Sequence, residues 1–243
     1  MKKILSILLI GGTLIANAAE LPNPTDLKKN IQEMLIKKQS LKNFYDVLSQ
    51  KYGHQVVSPL IQLALSEQEP DEIRWICLFS LARLTGKESL GIVQKFLTHE
   101  SWMLRDAALK VISRLKANDL KQEVGARLKD KALIVRTTAV ETIENLQLKE
   151  FSPQLVEALF DPINYNRGYP LWIHKHILKT LENFQYKEAV PRLVELLQIK
   201  KDPALQARLI QTLENLTGKS FAKKSIHEQI YIWRRIALSE KEF

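Results

Sequence analysis

The stretch ALIVRTTAVETIENL, residues 132–146, has a counterpart one period earlier in SWMLRDAALKVISRL (101–115), and another before that in PDEIRWICLFSLARL (70–84). One arginine anchors all three, at Arg74, Arg105 and Arg136, spaced 31 and 31; His174 and Gln206 hold the matching places further on, at spacings of 38 and 32. Five columns stay apolar through this register. Just before the anchor stand Ile73, Leu104, Val135, Ile173 and Leu205; three after it, Cys77, Ala108, Ala139, Ile177 and Leu209. Next come Leu78, Leu109, Val140, Leu178 and Ile210, then Leu81, Ile112, Ile143, Leu181 and Leu213, and finally Leu84, Leu115, Leu146, Phe184 and Leu216. Steps of 4, 1, 3 and 3 trace one stripe of an α-helix, whereas a strand needs steps of two. A closing phrase recurs as TIENL (142–146), TLENF (180–184) and TLENL (212–216), where the same packing problem returns at the helix end.

Between these helices lies a second, shorter apolar periodicity, at 56–65, 90–97, 120–128, 155–160 and 190–197. Each unit therefore reads as a helical hairpin, helix A then helix B. Neither helix covers its apolar stripe alone, so stacking against neighbouring units completes the core. The expected architecture is all-α: a right-handed α-solenoid of about five hairpins over 54–216, with a linker and N-terminal cap helices over 19–53 and a C-terminal cap helix over 217–243. The first cap helix is expected to open at Thr25 or Asp26 after the Pro22/Pro24 linker, and the last to turn Ile226, Ile230, Trp233 and Ala237 inward. No sheet is expected. One unit carries a turn-rich insertion, DPINYNRGYP (161–170), readable either as a functional loop on a rigid scaffold or as tolerated surface.

The pattern L-x-D-x(4)-V-R-x-x-A-V-x-x-I-x-x-L, read over 128–146, resembles a HEAT repeat of the short bacterial, phycobilisome-lyase-like type. AVPRLVELL (189–197), with proline in the first turn, resembles its A-helix. The resemblance covers about residues 54–216 and is looser where His174 and Gln206 replace the arginine. It implies that Arg74, Arg105 and Arg136 are structural, each working with an upstream acid, Glu100 or Asp130, to knit the loop between A and B. It also implies that B-helices line a concave side.

The first residues give an address. Met1-Lys2-Lys3 is a basic start, 4–15 is an apolar run of twelve, and Ala16-Asn17-Ala18 is a small-x-small cleavage signal, so 1–18 reads as a cleaved signal peptide and the mature chain as periplasmic or secreted. Such a run is too short for a bilayer-spanning anchor, which needs about 20 apolar residues. Cutting there removes Lys2 and Lys3 and leaves 34 basic against 27 acidic residues, a net +7. Cys77 is the only cysteine; it falls in an apolar column and reads as core rather than reactive thiol.

Catalytic patterns do not emerge. Deoxyhypusine hydroxylases resemble this scaffold and hold two irons with four His-Glu dipeptides; here only His99-Glu100 and His227-Glu228 occur, at non-equivalent places. Phycobilin-lyase-like relatives share the repeat alone. In His174-Lys175-His176 the two imidazoles stand about 200° apart on a helix and do not converge on a metal. Phosphate loops, Cys-x-x-Cys and Gly-x-Ser-x-Gly are missing. Lys and Arg are scattered without a basic-aromatic stripe, so the positive charge points to solvation or attraction to an anionic envelope surface rather than to nucleic acid.

The sequence thus predicts a monomeric, exported, non-catalytic scaffold without cofactor or metal, which holds a protein partner along its concave B-helix face. The alternative is a HEAT-type enzyme or ligand-binding protein with a site near 161–170. For the scaffold, the expected contact residues are Trp75 and Phe79 as apolar anchor, with Glu144, Glu182 and Glu214 as an acidic ladder facing a basic partner. On that expectation, changing the three glutamates to lysine leaves the melting temperature almost unchanged. Two plainer readings stand beside it: cap helices covering Trp75 and Phe79, and solvated glutamates near helix ends.

Overall fold

The structure, a computed structural model, describes residues 22–239; the expected signal peptide at 1–18 lies outside the described residues. Two helices, α1 (Pro24–Ile36) and α2 (Leu41–Tyr52), precede five helical pairs: α3 (Val57–Leu65) with α4 (Asp71–Thr85), α5 (Leu90–Phe96) with α6 (Trp102–Leu115), α7 (Lys121–Ala126) with α8 (Leu133–Asn145), α9 (Ser152–Ala158) with α10 (Ile173–Phe184), and α11 (Val190–Ile199) with α12 (Pro203–Thr217). A last helix, α13 (Ile226–Ser239), follows. Each B-helix packs on the A-helix of its own pair and on the next B-helix, so α4, α6, α8, α10 and α12 form one continuous layer. At the ends, α1 packs on α3 and α4, while α13 packs on α11. This is an all-α, HEAT-like helical solenoid.

The apolar columns are the core. Every residue of the first four columns is buried, from Ile73, Cys77, Leu78 and Leu81 in α4 to Leu205, Leu209, Ile210 and Leu213 in α12. In the last column Leu146, Phe184 and Leu216 are buried, whereas Leu84 and Leu115 are partly covered. Cys77 is fully enclosed, and burial pushes its thiol up to about 12, as expected of a core position.

Local chemistry sets the helix ends. The first helix is capped two positions earlier than Thr25: Asn23 is the cap, its side chain accepting from the Asp26 amide at 2.8 Å, and Pro24 takes the first turn, where its missing N–H costs nothing. Asp202 and Pro203 repeat that solution at α12, with Asp202 Oδ1 accepting from Leu205 N at 2.8 Å. At α13, Ser225 and Glu228 form a reciprocal capping box; Trp233 and Ala237 turn inward, Ile230 is partly covered, and Ile226 in the first turn stays 38% exposed. Three B-helices end on a non-glycine residue in the left-handed region, Lys116 (φ 52), Gln147 (φ 56) and Gln185 (φ 52).

The expectation of no sheet needs one correction. The insertion holds a two-stranded antiparallel ladder, β1 (Tyr165–Asn166) with β2 (Tyr169–Pro170), pairing Tyr165 with Pro170 and Asn166 with Tyr169. Arg167 and Gly168 at its tip have φ 50 and 85, the left-handed pair that a tight two-residue hairpin turn demands.

Candidate functional site

The anchoring arginines are buried, and two of them make the same set of bonds. Arg105 Nη1 donates to the carbonyls of His99 and Glu100, both at 2.7 Å, in the loop of its own pair. Its Nε and Nη2 reach forward to both carboxylate oxygens of Asp130, in the loop of the next pair. Arg136 Nη1 binds the carbonyls of Asp130 and Lys131, while Nε and Nη2 reach Asn164 Oδ1 and the Ile163 carbonyl, each at 2.8 Å. The working acid is therefore Asp130. Glu100 contributes only its carbonyl. Arg74 binds the Ala64 carbonyl at 3.0 Å, lies 3.9 Å from Asp71 and stacks over Phe96 at 5.6 Å, with no forward carboxylate.

The two halves of the insertion differ. Asn164 is completely buried, donating to the Ala158 carbonyl at 2.8 Å while accepting from Arg136, so the first half supplies the junction that Asp130 supplies one repeat earlier. Tyr165 folds back, its hydroxyl donating to the Leu159 carbonyl at 2.6 Å and its ring 4.6 Å from His174, whereas residues 166–169 are exposed; Leu171 N returns to the Asn164 carbonyl at 3.0 Å. His174 takes the anchor place in this repeat: Nδ1 lies 3.0 Å from the Leu171 carbonyl and Nε2 3.2 Å from that of Leu159. Burial holds this imidazole below its ordinary range, although both carbonyls favour the charged form. Gln206 reaches the Leu197 carbonyl at 3.3 Å.

The recurring Thr-x-Glu-Asn phrase is a clasp between repeats. Glu144 accepts from Thr180 Oγ1 at 3.1 Å and from Asn183 Nδ2, with Lys179 Nζ at 3.5 Å. Glu182 accepts from Thr212 Oγ1 at 2.6 Å and Asn215 Nδ2 at 3.2 Å, with Arg208 Nη1 at 2.8 Å. One junction earlier, Ser113 stands in the glutamate column and accepts from Asn145 at 3.1 Å. Glu214 instead ties down the chain after α12, accepting from Ser220 Oγ at 2.6 Å and Phe221 N at 3.0 Å. The three carboxylates form a ladder, and each already holds donors of its own chain.

Trp75 and Phe79 are half-buried, their rings 4.6 Å apart and packed against the core. Trp75 opens on a cleft of about 300 Å³ that it shares with Met34 and Leu35 of α1 and with Met103. The cap thus covers this pair in part.

Larger exposed apolar side chains lie elsewhere on the B-layer. They recur at the N-terminal ends of successive B-helices: Trp102 is 49% exposed, Ile134 36% and Trp172 56%. Trp172 Nε1 donates to Thr137 Oγ1 at 3.0 Å, which lays its indole across α8. Beside it a cleft of about 460 Å³ opens between α10 and α12, with Tyr169 of the hairpin on its rim. Sequence reasoning passed over these residues. The signal was there, in the two columns immediately before the apolar stripe, where Trp102, Ile134 and Trp172 break a solvent-facing position.

Among the described residues, no three His, Cys, Asp or Glu side chains gather so as to hold a metal ion, and no helix is long and apolar enough to cross a membrane. His174 and His176 diverge: the former is buried against carbonyls, whereas His176 Nδ1 lies 3.2 Å from Glu141 across the B-layer. His99 accepts from Ser101 N at 3.0 Å.

Residues 57–144, the span from α3 to α8, match the family of HEAT repeats. Among solved structures, the chain is similar to the complex of CpcE and CpcF of phycocyanin lyase from Nostoc sp. PCC7120, at 17% identity and a TM-score of 0.52, over 67% of this chain and 65% of that one. At that identity the likeness is one of fold, and the chain spans less than two thirds of the other's length. A crystal structure of an engineered protein aligns at 12% identity with a TM-score of 0.43, over 79% of this chain and 97% of that one. No curated protein sequence matches the chain.

Proposed function

We propose that this protein is an exported, non-catalytic scaffold that holds a protein partner along the B-helix layer. The observation that carries the reading is the uncovered apolar row of Trp102, Ile134 and Trp172 on a layer that is otherwise closed by its own polar clasps. Large aromatic side chains left in water are costly to a monomer and are the usual anchors of protein interfaces. HEAT repeats are typical of interaction scaffolds, and the similar lyase structure is itself a complex of two chains. The basic leader at 1–18 supports export.

The second reading, a ligand-binding or catalytic site near 161–170, is favoured by the cleft between α10 and α12. The residue best suited to acid–base work there is His174, yet both its ring nitrogens face backbone carbonyls of its own chain, which leaves neither for a substrate. A binding cleft fits this better than a catalytic one.

The test uses the full chain expressed in a Gram-negative host. Periplasmic recovery with a mass beginning near residue 19 is expected, together with capture of one envelope protein that the Trp102→Ser/Trp172→Ser double variant loses while still folded by circular dichroism. Cytosolic protein retaining residues 1–18 rules out export; equal capture by both forms rules out the B-layer row.

A further inference from the structure

The cleft between α10 and α12 has a chemistry that the rest of the B-layer lacks. Its floor is apolar, made by Leu178 and Leu205, which are sealed from bulk water apart from this opening. Its rim is aromatic, with Trp172 at 56% and Tyr169 at 69% exposure, so the chain's own core does not use these rings. The charges around it are unbalanced. The one acid lining it, Asp202, is turned to its own helix, where Oδ1 caps Leu205 N. The acids further along the layer are engaged as well: Glu141 with His176, Glu144 with Thr180, Asn183 and Lys179, and Glu182 with Thr212, Asn215 and Arg208. Lys175, by contrast, is an exposed cation that lines this cleft and the neighbouring one of Glu141 and Glu144, yet forms no ion pair among the described residues. At the hairpin, Lys200 Nζ lies 4.0 Å over the Tyr165 ring and adds positive charge to the same edge.

We propose that this cleft receives an acidic segment of the partner protein, which inserts one large apolar side chain beside Trp172 and sets its carboxylates against Lys175. The inference rests on the reading of the B-layer as a partner-binding face and names the chemistry of what one end of it takes. An apolar residue gains by leaving water for the Leu178–Leu205 floor, while the unbalanced cation selects against basic flanks. This reverses the charge expected of the partner from the glutamate columns alone, because those glutamates are already bonded within the chain.

Short fluorescent peptides test it against the mature full chain by anisotropy at low salt. Three probes suffice: phenylalanine flanked by glutamates, phenylalanine flanked by lysines, and alanine flanked by glutamates. The glutamate-flanked phenylalanine peptide is expected to bind about tenfold tighter than either other. Trp172→Ala removes this binding, and Lys175→Glu shifts preference to the lysine-flanked probe. Lys175 is exposed, so its melt remains unchanged, whereas Trp172→Ala also loses the bond to Thr137 and is compared with Thr137→Val, which loses that bond yet is expected to keep the peptide. Equal binding of the alanine probe overturns the apolar insertion. Peptide-independent binding to phosphatidylglycerol vesicles, or self-association abolished by Trp172→Ala, replaces the acidic segment with a membrane or a second copy. Absence of binding to any probe, while the Trp102/Trp172 row still captures a native partner, overturns this inference and leaves the scaffold reading standing.

Discussion

Arg105 holds Asp130 with both forks of its guanidinium, Nε to Oδ2 and Nη2 to Oδ1, each at 2.7 Å, although the two belong to different repeats. Both side chains are almost wholly buried. Removing Arg105 leaves the enclosed Asp130 with only Arg127 at 3.8 Å and the Ala132 amide, so Arg105→Ala is expected to destabilise by about 3 kcal/mol in chemical denaturation. Asp130→Asn costs less, about 1–2 kcal/mol, because Asn164 shows that an amide serves at the equivalent place beside Arg136. The acid limb separates the two causes. Burial alone raises the Asp130 carboxyl, but the bonds from Arg105 and Ala132 N outweigh it and hold the group below its usual range. Its stabilisation is then complete above the ordinary aspartate value of about 4 and fades as pH falls through the folded-state value. The Asn variant lacks that contribution to acid unfolding.

His174 gives a pH dependence of the opposite origin. Its folded-state value is depressed by burial, so the unfolded chain binds the extra proton first, and stability declines as pH drops below about 6.5. His174→Gln, which copies Gln206 one repeat on, is expected to flatten the stability profile between pH 7.5 and the depressed folded value, read by denaturant midpoints.

The Thr-x-Glu-Asn clasp changes what charge reversal does. Reversing Glu144, Glu182 and Glu214 to lysine was expected from sequence to leave the melting temperature almost unaltered; with Thr180, Asn183, Thr212 and Asn215 bonded to two of them, it is expected to fall clearly. Glu182→Ala alone costs about 1–2 kcal/mol. The Thr212→Val partner variant gives a double-mutant cycle that isolates the cross-repeat bond.

Left-handed helix ends offer a gain. A side chain in that region costs roughly 1 kcal/mol relative to glycine. Gln185→Gly surrenders one amide bond to the Glu182 carbonyl, yet is expected to raise the melting temperature by a degree or more. A fall instead would mean that the side-chain bond outweighs the backbone strain.

Replacing residues 165–170 with Gly-Gly tests the division of the insertion. Leu171 N already meets the Asn164 carbonyl, so the ends are adjacent and Asn164 stays with Arg136. Stability is expected to fall by about 1–2 kcal/mol, because Tyr165 takes with it the bond to the Leu159 carbonyl and the ring contact with His174, with loss of the cleft's rim and of peptide binding. Removing Asn164 as well should unfold the repeat.

The helical pairs and the core were legible because burial acts on columns: Ile73, Cys77, Leu78 and Leu81 and their equivalents must be apolar whatever the loops do. The arginine anchors were legible for the same reason. What the pattern hid was direction. Both Glu100 and Asp130 stand upstream of an arginine, but only the stacking distance between loops decides that Arg105 reaches forward to Asp130. Asn164 was hidden by the longer spacing, which breaks the register in which an acid would be sought. The glutamate columns were correctly aligned, yet their donors sit on the following helix. Trp172 was overlooked because it precedes the periodic stripe, where nothing in a helical pattern distinguishes an exposed indole from a capping one.

Successive junctions are not fastened alike. Between α6 and α8, and between α8 and α10, the layer is tied near both ends of the helices, by arginine at the loops and by the clasp at the far turns. Between α10 and α12 hydrogen bonds tie the far end, at Glu182; at the loop end His174 and Gln206 bond their own repeats, and the contact across is Lys200 over the Tyr165 ring. A seam hydrogen-bonded along one edge behaves as a door on a light latch: its stiff pivot lies at Glu182, and the edge where Trp172 and Tyr169 stand is held by Lys200 over Tyr165. Rotation about that pivot is expected to widen the mouth between α10 and α12 at the cost of the Lys200–Tyr165 contact, while the bonds at Glu182 stay made.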